Sequence, residues 1–236
     1  DAYTNVATGY TGTVQLTSGD AQATLPANYT FTAADAGTHT FTAGVTLGTA
    51  GDQTVTATDT TTPALTDTDT VTVSAGAATQ VKLEDAATGG NEIGDETVVA
   101  GSSLTMYVIA RDAYGNFVAL ASPFMWIFDD AGGVNYYTDY VSKGPGWRVF
   151  TGHLIGTVRI SASVMVPPSN NKISDSTGLI TVVAGPAATL RVDAPATVTA
   201  GTPFDVTVTA LDAYTNVATG YTGTVQLTSG DAQATL

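Results

Sequence analysis

Apolar and polar positions alternate with a period of two along most of this 236-residue chain. Phe204, Val206, Val208 and Ala210 fall on one face, with Asp205, Thr207 and Thr209 between them. Leu104, Met106, Val108 and Ala110 repeat the pattern, and so do Val158, Ile160, Ala162 and Val164. A period of two sends successive side chains to opposite faces of a pleated backbone, so each segment predicts a half-buried strand. The many Val and Thr residues suit that surface. Gly, Asn, Asp and Pro break the alternation every ~8–12 residues, the spacing of short strands joined by turns. No segment shows a helical apolar period. About seven short strands per ~100 residues, each with a face to cover, predict an all-β chain built of β-sandwiches.

The chain also repeats itself. Residues 1 to 25, DAYTNVATGYTGTVQLTSGDAQATL, recur letter for letter as residues 212 to 236, at an offset of 211 residues. A weaker echo lies between them: ALDAYTNVA around Asp212 becomes ARDAYGNFVA around Asp112. The segments before these match as well, TAGTPFDVTVTALDAY against VAGSSLTMYVIARDAY, and ITVVAGPAATLRV resembles VTVSAGAATQVKL. A fixed period of this kind marks a tandem array. It predicts two alternating module types. Residues 77–186 form a complete module of the second type, and 187–236 open the first type. Residues 1–76 hold the rest of the first type without its two opening strands. The chain then reads as a window from a longer array, with AGAAT and AGPAAT as linkers.

The string AGxxxxxxVxAxDAYxN, the closing VTVxAG and the module length resemble bacterial immunoglobulin-like repeats, those of invasin- and intimin-like adhesins and other large surface proteins. The resemblance covers the whole chain. It implies tandem immunoglobulin-like sandwiches, an extracellular or cell-surface location, and a structural or adhesive role. The chain has no cysteine, unlike antibody domains, so each core must be held by packing alone. The function expected is that of a structural repeat unit in a repetitive polymer: a stalk, an adhesin spacer or a filament. Two alternatives stand beside it, a glycan- or protein-binding module and an accessory domain of a secreted enzyme.

Charge narrows the partners. Twenty-one acids against seven bases give a net charge of −14, a field that repels phosphate backbones and anionic headgroups. Neither nucleic acid nor a charged membrane surface is therefore expected. No apolar run nears the ~18 residues of a membrane span, and the first residues do not read as a signal peptide. No HExxH, phosphate-binding glycine loop, nucleophile elbow or paired-carboxylate motif appears, so the chain is not expected to be an enzyme. His39 and His153 read as strand or loop-surface residues.

Three sites remain as candidates. Asp59, Asp67 and Asp69 lie in and after the loop DTTTPALTDTDT. Topology places that loop at the same pole as Asp212, where oxygen ligands could hold calcium at a module junction. Asp67 and Asp69 share parity with the inward Val71 and Val73, so the reading puts them at a frayed strand end. The competing reading is solvated loop acids, with Asp and Asn of the DAYxN segments serving as turn residues and Tyr covering the sandwich end. The second candidate is the loop GGVNYYTDY, where Tyr136, Tyr137 and Tyr140 could stack on sugar rings or anchor a protein. Nearby, Phe124, Trp126 and Phe128 are expected to point inward, leaving Met125 and Ile127 outside. The third is an isopeptide cross-link through Lys82, with Glu84 or Asp85 as the acid. Last, the strands beginning near Thr189 and Thr202 are those that residues 26–76 lack. This predicts head-to-tail completion by a neighbouring identical copy, with the duplicated 25 residues competing for one place.

Overall fold

Alternation becomes strand wherever a pairing partner is present. The computed structural model describes residues 3–130, 132–135, 138–166 and 171–235. It divides into two compact units, Asp1–Val81 with Ile109–Ala119, and Lys82–Val108 with Leu120–Leu236.

The first unit is built on β1 (Thr13–Ser18), β2 (Tyr29–Thr30), β3 (Gly51–Asp59) and β4 (Thr66–Val73), in the antiparallel order β2-β1-β3-β4. Leu16 sits opposite Ala57, and Val55 opposite Asp69. On one face of β3 and β4 the threonines pair across the strands, Thr56 with Thr68 at 2.7 Å and Thr58 with Thr66 at 2.8 Å. The other face carries Val55, Ala57, Val71 and Val73. With Val45, Leu47, Asp67 and Asp69 these line an open groove of about 740 Å³, and Val71 stays 44% exposed. A 3-10 turn at Ala33–Asp35 is closed by Asp35, which accepts from the Thr32 amide at 2.6 Å. Tyr10, Tyr29, Phe31, His39 and Phe41 pack as one aromatic cluster beside it.

Further strands follow: β5 (Gln80–Glu84), β6 (Glu96–Val99), β7 (Ser103–Arg111), β8 (Phe117–Leu120), β9 (Met125–Asp130), β10 (Tyr140–Gly144), β11 (Trp147–Thr151), β12 (Gly156–Val166), β13 (Asn171–Ser176) and β14 (Ile180–Val183). One sheet runs β10-β11-β7-β5 with β8 on β7; the other runs β13-β12-β14-β6 with β9 on β12. In the second unit, Met106 and Phe150 from the first sheet meet Val98, Val158, Ile160, Ile180 and Val182 from the other in one buried cluster. Side chains from two sheets sharing a core make this a β-sandwich. Each fully buried aliphatic chain there is worth roughly 1.5–3 kcal/mol. The faces expected from Leu104–Ala110 and Val158–Val164 are the buried ones.

Two expectations need correction. Trp126 and Phe128 do pack against the core, but Phe124 precedes β9 and is 55% exposed. Its amide still donates to the Ser163 carbonyl of β12 at 3.0 Å, but the residue lies just ahead of the strand, where the side chain is left uncovered. The closing pair, β15 (Thr189–Asp193) and β16 (Thr207–Leu211), is antiparallel with Leu190 opposite Ala210. Its second strand starts at Thr207, not near Thr202. Leu190, Val192, Phe204 and Val206 are all exposed.

The duplicated segment takes two states. Thr13–Ser18 is strand β1, bonded to β2 and β3. The identical Thr224–Ser229 belongs to no strand, and its Val225 and Leu227 are exposed. Strand propensity is the same in both; the pairing partner decides.

Candidate functional site

The two Asp-Ala-Tyr-x-Asn loops form the most organised polar sites among the described residues. Local turn chemistry builds each loop. In the first unit, Asp112 Oδ1 accepts from the amides of Tyr114 and Asn116, both at 2.9 Å. In the second, Asp212 Oδ1 accepts from Tyr214 at 2.8 Å and Asn216 at 2.9 Å. The fourth loop residue turns left-handed in both, Gly115 at φ 85° and Thr215 at φ 70°. A side chain at that angle is strained, which the surrounding bonds must offset.

The remaining carboxylate oxygen reaches the linker. Asp112 Oδ2 accepts from the Gly76 amide at 2.8 Å and from Asn116 Nδ2 at 2.9 Å. Asp212 Oδ2 accepts from Gly185 at 2.9 Å and from Asn216 Nδ2 at 2.8 Å. Four donors to one carboxylate favour its charged form. For Asp112 the Asn116 side chain is the largest influence, followed by the Gly76 amide, and its pKa falls to about 2. Burial of Asp212 works against its charge, yet Asn216, Gly185 and Tyr214 together still hold its pKa below the ordinary value.

The asparagine then looks outward. Asn116 Nδ2 donates to the Gly48 carbonyl at 2.7 Å, and Asn116 Oδ1 accepts from the Ala50 amide at 2.9 Å. Asn216 Nδ2 donates to the His153 carbonyl at 2.7 Å, and Asn216 Oδ1 accepts from Ile155 at 3.0 Å. The two arrangements match bond for bond. The motif tyrosines close over the turns. A Cβ on Gly48 would lie 2.8 Å from the Tyr114 ring, and the Tyr214 ring lies 4.7 Å from that of His153.

Each contacted turn is itself fixed by a buried aspartate. Asp20 accepts from the amides of Gly48 at 2.6 Å and Thr49 at 2.9 Å, and from the Thr49 hydroxyl at 2.6 Å. The Thr49 bonds lead in bringing its pKa down to about 2. In the second unit Asp139 accepts from the Asn135 amide at 2.8 Å, is bonded to His153 Nδ1, and is almost wholly buried. His153 is thus a half-buried loop residue partnered by Asp139. His39 is also half-buried, its ring stacked 3.5 Å from Tyr29.

The other candidates are placed as follows. Asp59 is buried and accepts from the Tyr10 hydroxyl and from the amides of Thr61 at 2.8 Å and Thr62 at 2.7 Å. Asp67 and Asp69 are exposed on the paired length of β4, facing Ala57 and Val55, and not at a frayed end. Asp212 belongs to the other unit. No group of three or more acidic or histidine side chains with metal-holding geometry occurs among the described residues. Tyr140 is half-buried, its ring 4.5 Å from Phe128 with Arg148 beside it; Tyr136 and Tyr137 lie outside the described residues. Lys82 pairs with Glu92 at 3.1 Å, while Glu84 and Asp85 accept from the amides of Gly90 and Asn91.

Sequence reasoning found the turn chemistry of these loops and missed the outward reach of Asn116 and Asn216. The available signal was the internal repetition, since Asp, Tyr and Asn recur while the fourth residue changes between Thr and Gly.

No protein-family model and no curated protein sequence matches the chain. Among solved structures, the Escherichia coli adhesin FdeC is similar at 24% identity and a TM-score of 0.38, over 93% of this chain and 68% of that one. The S-layer protein rSbsC(31-844) is similar at 17% identity and 0.27, over 91% of this chain but 24% of its own length. Domains 4 and 5 of the S-layer protein SbsC align at 17% identity and 0.26, over 78% of each chain.

Proposed function

We propose that this chain is a structural repeat unit of an extracellular or cell-surface polymer, joined head to tail to further copies of itself. The observation that carries the reading is the 25-residue segment that recurs unchanged after 211 residues. The recurrence says what surrounds each copy. Whatever precedes Asp212 in one repeat stands before the matching segment of the next, so β15 and β16 are the strands that accompany residues 3–76 in the array. The two surfaces are chemically suited. The β3–β4 face leaves Val71 exposed in a groove of valine, leucine and alanine side chains that Asp67 and Asp69 also line, and Leu190, Val192 and Phe204 are exposed on and beside the β15–β16 pair. Covering both removes apolar area from water at about 25 cal/mol per Å². The contact is heterologous, so it propagates into a line instead of closing a dimer.

Sedimentation across a wide concentration range tests the reading. Self-association that rises with concentration and disappears in Leu190→Asp supports it. A concentration-independent monomer rejects it.

A further inference from the structure

We infer that the place of β1 between β2 and β3 is exchangeable, and that Thr224–Ser229 of one chain takes it from Thr13–Ser18 of a second copy. The inference deepens the head-to-tail reading above and rests on it for the driving force, but different residues carry it.

What holds β1 lies outside the duplicated segment. Thr13 and Val14 pair with Thr30 and Tyr29, and Val14 through Ser18 pair with Asp59 back to Val55. The flanks of the strand reach the same stretch. The Tyr10 hydroxyl meets Asp59, and Asp20 accepts from the amides of Gly48 and Thr49. All these partners lie between residues 29 and 59, which occur once in the chain, whereas residues 10–20 recur as 221–231. Every group that β1 and its flanks offer is therefore offered a second time.

The second copy already has the shape of the first. Ser18 Oγ accepts from the Asp20 amide at 3.1 Å, and Asp20 Oδ1 from the Gln22 amide at 2.9 Å. Ser229 and Asp231 make the same two bonds, at 3.1 and 2.9 Å. At the other end the Tyr10 amide donates to the Ala7 carbonyl, and the Tyr221 amide to that of Ala218, both at 3.0 Å. The rings are placed alike too: a Cβ on Gly12 would strike the Tyr10 hydroxyl, and one on Gly223 that of Tyr221. What differs is the covering. Val225 and Leu227 are 37% and 46% exposed, while Val14 and Leu16 are half-buried.

A segment that already holds its bound shape gives up little freedom on docking. The exchange itself trades identical contacts, as in a domain swap, and so costs little. The bias comes from what the incoming strand brings with it. Strands β15 and β16 precede it in the same chain, and their exposed Leu190 and Val192 arrive at the β3–β4 groove that β1 alone leaves open.

Two measurements on the full chain test this. The chain has no cysteine, so an introduced pair reports by itself. After exchange Gln226 stands where Gln15 stands now, opposite Thr58. Opposed residues of an antiparallel pair lie about 4.5–5.5 Å apart, within disulfide reach. Thr58→Cys/Gln226→Cys should give a ladder of disulfide-linked multimers on a denaturing gel after mild oxidation. No ladder beyond what the two single variants give overturns the exchange. Sedimentation supplies the second readout. Leu227→Asp should weaken self-association about tenfold, and Leu16→Asp, which loosens the resident strand, should strengthen it; Leu16→Ala serves if Leu16→Asp fails to fold. Unchanged association in Leu227→Asp also overturns the exchange. If Leu190→Asp abolishes association while Leu227→Asp does not alter it, the polymer reading stands and this one falls; a parent chain that never associates ends both.

Discussion

Asp20 and Asp112 each accept four hydrogen bonds, and each has its pKa drawn down to about 2. An unfolded aspartate titrates near ~3.9. A carboxylate with a lowered pKa stabilises the fold above its unfolded value, and that stability is lost as the pH falls through the folded one. Thermal unfolding followed by circular dichroism should therefore lose midpoint temperature steeply between about pH 4 and pH 2. Asp20→Asn and Asp112→Asn should lower the neutral-pH midpoint and flatten that slope. Tyr10 behaves in the opposite sense. Its bond to Asp59 leads in raising its pKa to about 12, against ~10 for a free phenol. The neutral phenol stabilises the fold below ~10, and this is lost as the pH climbs toward 12. Tyr29, bonded to Asp35, is raised as well, so ultraviolet titration should lose one late component, but not every one, in Tyr10→Phe.

At the scale of elements, pairing and covering decide what a sequence becomes. Leu16 is half-buried in β1, whereas its duplicate Leu227 is exposed and outside any strand. Leu16→Asp should destabilise by about 1–3 kcal/mol, while Leu227→Asp should fall within about 0.5 kcal/mol in the same denaturant titration. Ile160 is fully buried between the sheets of the second unit, and Ile160→Ala should cost about 2–5 kcal/mol. Much of this was legible. Alternation named the buried faces of β7 and β12 because a period of two is fixed by the pleat itself. Parity also put Asp67 and Asp69 on the face of Val71 and Val73, but parity cannot say whether that face is covered. Phe124 escaped because its parity was counted past the start of the strand. The loops were legible only locally. Asp and Asn announce a turn through their own backbone, whereas Gly48 and His153 are met through main-chain groups that leave no trace in the sequence.

At the scale of the molecule, the described carboxylates of the loops are spent on internal donors: Asp59 on Tyr10, Thr61 and Thr62, and Asp212 on Gly185, Tyr214 and Asn216. Calcium would have to displace those donors. Melting in millimolar calcium and in excess chelator should give the same midpoint; a rise of several degrees with calcium would restore the junctional site. The grip of Asp112 on the linker has a mechanical consequence. Pulled along the backbone, tension leaving β4 meets the short Ala75–Thr79 stretch, which alone would straighten at small force. Asp112 holds the Gly76 amide, and its neighbour Asn116 holds Gly48 and Ala50 ahead of β3. The stretch cannot lengthen until Gly76 comes off the loop, and Gly48 and Ala50 brace that same loop. A single-molecule force trace should accordingly show a small discrete extension before any sandwich unravels, and Asn116→Ala should turn that step into a smooth ramp.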